Sequence, residues 1–245
     1  MPFPTLEVPT LHLVLAEAAV ELVPQPLWSH PSVSRSAKKR NKKTGEILLE
    51  DTYHHAAMRE ATKKGRFEDR ERRGRPDIVH TTLLVVMESI LNKEGRLQVW
   101  VHTQDDRVIW IRPDTRLQRA QHRFFGLVED LLVSGRVPSL EKGDALMSVK
   151  DGMTLSVLLE EIAPHHVLLF DEHGETLPIE TIATEGAGVD DRVAAVIGAY
   201  PTGPMRSDLS GLTVPVQSVS LGPEPLTAWT VVAELLVRYR LSARA

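Results

Sequence analysis

The chain contains no cysteine. That excludes disulfides, thiolate metal ligands and a cysteine nucleophile together, and it suits a reducing compartment. Aromatic residues make up only 5% of the 245, too few for a platform on which successive bases stack. No apolar stretch approaches the roughly 18 residues that a membrane helix needs. The N-terminus, "MPFPTLEVPTLHLVLAEAAVELVPQPL", begins with no cationic region, and Glu17 and Glu21 interrupt its apolar part. Neither a signal peptide nor membrane association is expected, and the reading is of a cytoplasmic protein. The GxGxxG fingerprint and the phosphate-binding P-loop are both missing, which removes support for Rossmann-type or P-loop nucleotide binding. HExxH and GxSxG are missing too. The paired histidines His54–His55 and His165–His166 are sequence neighbours whose side chains point apart, so no metal site is expected.

What is present is ordinary in bulk and uneven in detail. Hydrophobic residues are 42% and charged residues 25%, with a formal charge of −4. Yet Arg35 to Arg75 holds 14 basic against 7 acidic residues, leaving 15 against 26 elsewhere. Such asymmetry points to an anionic partner, with a solvated charged loop as the alternative. Within it, "KKRNKK" (38–43) reads as a phosphate-attracting arm or a nuclear-import signal, and "RRGRPDIVHTTLL" (72–84) crowds three arginines at the start of an apolar run.

The element pattern is α/β. "LHLVLA" (11–16) reads as a strand and "EAAVELV" after it as a helix. Residues 46–65 and the run from Pro76 to Gly95 read as helices, Pro76 and Asp77 suiting a first turn. "LQVWVHT" and "RVIWIRP" flank "QDD" as a hairpin. Residues 118–137 form an amphipathic helix on which Arg116, Arg119 and Arg123 would share a face. The second half alternates helices with short apolar strands, the pattern of a buried, mostly parallel sheet. Neither an internal repeat nor a domain linker is evident. The expectation is one domain over 1–245, with a basic extension at about 30–75 and a hairpin extension at 97–113.

Two late strands end in Gly/Pro loops, "VIGAYPTG" and "VSLGPEPLTAW". In open α/β sheets ligands sit in the crevice made by such loops. A row of arginines with only Asp114 nearby, together with the group at 72–75, fits bidentate phosphate contacts.

The stretches "AKKRNKKTGEILLEDTYHHAAM", "RRGRPDIVH", "LQVWVHTQ", "IRPDTRLQRAQHRFFGL", "VIGAYPTG" and "LTAWTVVAELL" resemble, in order, the essential-for-mitotic-growth (nucleolar essential protein) family, in its archaeal form. The resemblance implies a SPOUT-type open, mostly parallel sheet with a C-terminal trefoil knot. It also implies a homodimer that uses S-adenosyl-L-methionine to methylate N1 of a pseudouridine in small-subunit ribosomal RNA, with a role in ribosome biogenesis. Ribosomal proteins are a further class of partner. Carried over by position, Arg75 contacts RNA and Asp77 holds that arginine, with a catalytic role for the pair and Asp77 as general base ranked second. Arg116, Arg119 and Arg123 bind RNA, although Gln118 stands where the family commonly has proline. Gly198 and Gly203 belong to one donor loop, and Val219, Ser220, Leu221, Gly222, Pro223, Pro225 and Leu226 to the second. The alternatives are an RNA-binding assembly factor whose catalysis is dispensable, a methyltransferase of the same class acting on transfer RNA, or an RNA-binding module with no small-molecule site.

Overall fold

The apolar run at Leu11 becomes the centre of the molecule in the structure, a computed structural model that describes residues 11–176 and 192–242. In chain order the elements are β1 (Leu11–Ala18), α1 (Pro31–Arg40), α2 (Asp51–Lys63), α3 (Pro76–Met87), α4 (Ile90–Lys93), β2 (Leu97–Thr103), β3 (Arg107–Ile111) and α5 (Gln121–Ser134). Then follow β4 (Arg136–Val137), β5 (Met147–Asp151), α6 (Leu155–Ile162), β6 (His166–Thr176), β7 (Val193–Gly198), β8 (Val216–Ser220) and α7 (Ala228–Ser242). The strands form one sheet in the order β4-β5-β3-β2-β1-β7-β6-β8. From β2 to β8 the neighbours run parallel, while β3, β5 and β4 each run antiparallel to the strand before them.

Because β1 is flanked on both edges and covered on both faces, all eight of its residues are buried, which is why it lacks a polar alternation. Leu11, Leu13 and Leu15 face a core closed by α3, α5 and α7. Val14 and Ala16 face a second core closed by α6 and by Trp100 and Trp110. A third, smaller core joins α1 and α2 through Val33, Ala37, Ala57 and Met58.

Four expectations change here. Residues 17–23 are not a helix: Glu17 takes a left-handed φ of 49° where the β1–β2 register shifts, and its side chain is committed elsewhere. The hairpin is not an appendage, since β3 carries β5 on its far side and the whole pair lies inside the sheet. The run from Pro76 to Gly95 is two helices, broken at Glu88–Ser89. The basic segment is not a loose arm either. Lys38, Lys39 and Arg40 form the last turn of α1, where cations meet the negative end of the helix dipole, and Pro31 opens that helix at its first position. Arg40 pairs with Glu50 and Glu129, and Lys42 lies 2.7 Å from Asp130, which docks α1 on α5. Arg35, Lys38 and Lys39 stay exposed with no ion pair among the described residues.

Two buried histidines each contribute acid sensitivity to the fold. His12 accepts from Trp100 Nε1 at 3.3 Å and His54 accepts from the Glu50 amide at 3.0 Å, while the Nε2 of each has no partner among the described residues. Burial pulls both imidazoles down to about 4 from 6.5. The unfolded chain therefore binds protons that the folded chain refuses, and stability falls as pH drops from the unfolded value toward the folded one. Between about pH 7 and pH 5 each histidine should cost on the order of 2 kcal/mol. Glu21 and Glu50, pushed up by burial, act in the opposite sense. The histidine part is thus read from urea midpoints as the difference between wild type and His54→Gln, and equal slopes for the two proteins would refute it.

Candidate cofactor cleft and nucleic-acid interface

The parallel strands β7, β6 and β8 end side by side, and the loops that leave β7 and β8 enclose a cleft of about 550 Å³. Gly198, Gly203, Val219, Ser220, Leu221, Pro225 and Leu226 all line it. Gly222 and Pro223 do not. Gly222 instead closes the turn, its carbonyl accepting from Ser220 Oγ at 2.7 Å. The glycines allow close approach. A Cβ at Gly198 would lie 2.8 Å from the Tyr200 ring, and Gly203 combines a φ of +84° with Arg72 Nη1 at 3.1 Å.

Sequence reasoning missed part of the wall. Asp171, Glu172 and His173 line the cleft because β6 bulges between its two stretches of pairing with β8. Gly174 passes that crossing so tightly that a Cβ would lie 2.5 Å from Val219 N. Nothing local in the sequence announces this, since it follows from β6 lying between β7 and β8. Tyr200 and Thr202, also in the wall, sat inside the quoted "VIGAYPTG". Among the described residues no lysine or arginine lines the cleft, whereas Asp171, Glu172 and Glu224 do.

The arginine cluster is split at Gly74, where φ is +72°. On one side Arg72 is only 3% exposed. It donates to Glu17 at 2.6 Å and to the carbonyls of Thr202 and Pro204 at 2.9 and 2.8 Å, and its guanidinium lies 3.8 Å from the Tyr200 ring centre. Arg73 donates to Glu21 at 2.7 Å and covers the Phe67 ring. The expectation that these two arginines offer general phosphate attraction is overturned, because both charges are spent inside the molecule.

On the other side Arg75 points outward, with 42% of its side chain exposed. Both Asp77 oxygens accept from it, at 2.8 and 2.7 Å, and this bonding raises the guanidinium above its ordinary range. Arg75 does not line the cleft, but it is near. Its amide donates to Ala19 O, and the Ala19 amide donates to Ala199 O at the start of the loop that leaves β7. Arg116, Arg119 and Arg123 are all exposed, with no ion pair among the described residues. They do not share a helix face, because α5 begins only at Gln121 and the first two lie in the preceding loop. That loop is fixed to α3: His80 Nε2 contacts Gln118 O at 2.9 Å, and its ring stacks on Phe124. Arg112 is spent on Asp114 at 2.5 Å.

Residues 13–240 match the model of the EMG1/NEP1 methyltransferase family. The chain belongs to this family. The "Ribosomal RNA small subunit methyltransferase Nep1" of Thermococcus onnurineus is 42% identical over 94% of this chain and 97% of its own length. The protein of the same description from Pyrococcus furiosus is also 42% identical, over 94% and 96%. Among solved structures, Archaeoglobus fulgidus Nep1 bound to S-adenosylhomocysteine is similar with a TM-score of 0.80 and 34% identity, covering 96% of this chain and 99% of that one. The expected fold class is thereby shown. β7 lies between β1 and β6, and α7 returns to pack against α3 and β7.

The glycines give a paired stability prediction. Gly174→Ala drives a Cβ into Val219 backbone that cannot yield, and should lower stability by roughly 1–3 kcal/mol or more. Gly126→Ala, inside α5 with nothing within 4 Å, should raise it by roughly 0.5–1 kcal/mol. Chemical denaturation of both variants checks the order, and a Gly174→Ala protein as stable as wild type would contradict the crossing.

Proposed function

We propose that this protein is a homodimer that transfers a methyl group from S-adenosyl-L-methionine to N1 of a pseudouridine in small-subunit ribosomal RNA. One observation carries the reading: an acid-lined cleft at the ends of three parallel strands lies two backbone hydrogen bonds from an exposed, carboxylate-oriented arginine. The cleft is within the size range of small-molecule sites. Its Gly/Pro walls present backbone groups, and its charges suit a cationic ligand better than a phosphate. The relatives' descriptions supply the class of RNA. Exposed Val237 and Leu241, four residues apart on α7, whose first turns line the cleft, support pairing of two copies there.

The bound donor supplies an electrophilic methyl group on a sulfonium. The chain supplies position and charge. N1 of pseudouridine carries an imide-like proton, so its loss leaves a nucleophile that needs no covalent adduct, and with no cysteine none can form through a thiol. Holding N1 in line with the methyl carbon is worth roughly 7–11 kcal/mol in favourable cases. Arg75 would stabilise negative charge developing on the base. Asp77 has both oxygens engaged by Arg75, which favours an orienting role over proton abstraction. Arg116, Arg119 and Arg123, with Arg35, Lys38 and Lys39 of α1, would attract phosphates in a salt-dependent way.

Labelled S-adenosylmethionine and a small-subunit RNA hairpin carrying uridine or pseudouridine test the reading directly: label should enter only the pseudouridine RNA, and equal labelling of both would refute the specificity. Arg75→Ala should lower turnover by roughly 100-fold or more with donor affinity unchanged. Asp77→Asn should weaken RNA binding and show no recovery at high pH. A recovery with RNA affinity intact would make Asp77 the base.

A further inference from the structure

In loop Ala199–Pro215, which forms one wall of the cleft, Met205, Leu209, Leu212 and Val214 pack onto the second core, whereas the stretch that reaches the cleft, Pro201 to Pro204, is exposed. Its shape is set from outside by two residues far away in the chain. Arg72 donates from one nitrogen to both Thr202 O and Pro204 O, and places its plane against Tyr200. Glu17 completes the grip. One of its oxygens takes Arg72, and the other accepts from Arg206 N at 2.8 Å, Ser207 N at 2.6 Å and Ser207 Oγ at 2.8 Å. Asp69, three residues before Arg72, takes the Arg206 guanidinium at 2.9 Å.

We propose that Arg72, anchored by Glu17, is a positioning residue for the methyl donor: it holds Tyr200–Ser207 in the donor-binding shape without entering the cleft. Two facts set this apart from general stabilisation. First, Gly203 is the position where a Cβ would meet Arg72 Nη1, so a loop glycine assigned to donor contact serves the arginine as well. Second, the adjacent Arg73 is also clamped by a carboxylate and an aromatic ring, but its partners, Glu21, Glu68 and Phe67, are all outside the loop. The chain thus holds its own control.

A lysine at either position keeps a positive charge near its carboxylate. It cannot reproduce the planar fork that reaches two carbonyls and a carboxylate together. The inference rests on the proposed donor site, and the experiment separates the two. Titration of the full-length protein with S-adenosylhomocysteine by calorimetry is paired with steady-state kinetics on the RNA hairpin. Binding by wild type is the test of the site itself. Given that, Arg72→Lys should weaken donor affinity at least tenfold and raise KM for the donor to match. Its kcat at saturating donor and its RNA affinity should stay within about twofold of wild type. Arg73→Lys should keep donor affinity within about twofold. Should Arg72→Lys fail to fold, Ser207→Ala, which removes one loop contact to Glu17, should still raise the donor dissociation constant several-fold. A donor affinity unchanged in Arg72→Lys, or in Ser207→Ala when that variant decides, or reduced equally in Arg73→Lys, would overturn the assignment.

Discussion

Moving a carboxylate and a guanidinium out of water costs several kcal/mol per ion, and their attraction offsets this only when the remaining hydrogen-bonding capacity is also satisfied. Glu17 and Arg72 meet that condition with one partner, the loop after β7. Arg72 is given two carbonyls and a ring face, and Glu17 two amides and a hydroxyl. Neither ion could stay buried if the loop moved away, and the exposed stretch Pro201 to Pro204 takes its shape from them while the rest of the loop is seated on the second core. The left-handed backbone at Glu17, costing roughly 1–2 kcal/mol, is the local strain that this arrangement tolerates in order to aim the carboxylate.

The same segment serves two chemistries because Gly74 turns the chain between them. Its carbonyl accepts from Asp51 N at 2.8 Å, and a Cβ would lie 3.0 Å from that nitrogen. The turn is therefore tied to the start of α2. Arg72 and Arg73 fall inside, against acids, while Arg75 emerges at the first turn of α3 with Asp77 to orient it. An acidic protein gathers arginines there for opposite reasons on the two sides: two neutralise buried carboxylates, and one keeps a charge available to solvent.

Much of this was legible in the sequence. The strands announced themselves as apolar runs, the cleft loops as Gly/Pro breaks after them, and Arg75–Asp77 as a pair at a helix start. What could not be read was partnership over distance. Arg72 and Glu17 are 55 residues apart, and Arg73 and Glu21 are 52 apart, so local charge counts presented four matched ions as a positive surplus. The helix read at 17–23 failed for the same reason, since its glutamates belong to tertiary contacts rather than to an exposed helical face. Asp171, Glu172 and His173 entered the cleft wall only through strand order. The arginine row was half right: its members are exposed, but a loop held by His80 presents two of them.

The central strand has a temporal consequence. β1 is among the first described residues, yet the edge it offers to β7 pairs with Val193–Gly198, made when most of the chain already exists. Until then a strand whose residues all end up buried has one open edge, the kind of surface on which chains pair wrongly. Folding dominated by such distant pairings is slow. The acceptors of Arg72 lie 130 and 132 residues beyond it, so the cleft is assembled after nearly everything that supports it. A chain with β1 and β2 paired but β7 and β8 not yet made lacks both of the loops that enclose the cleft.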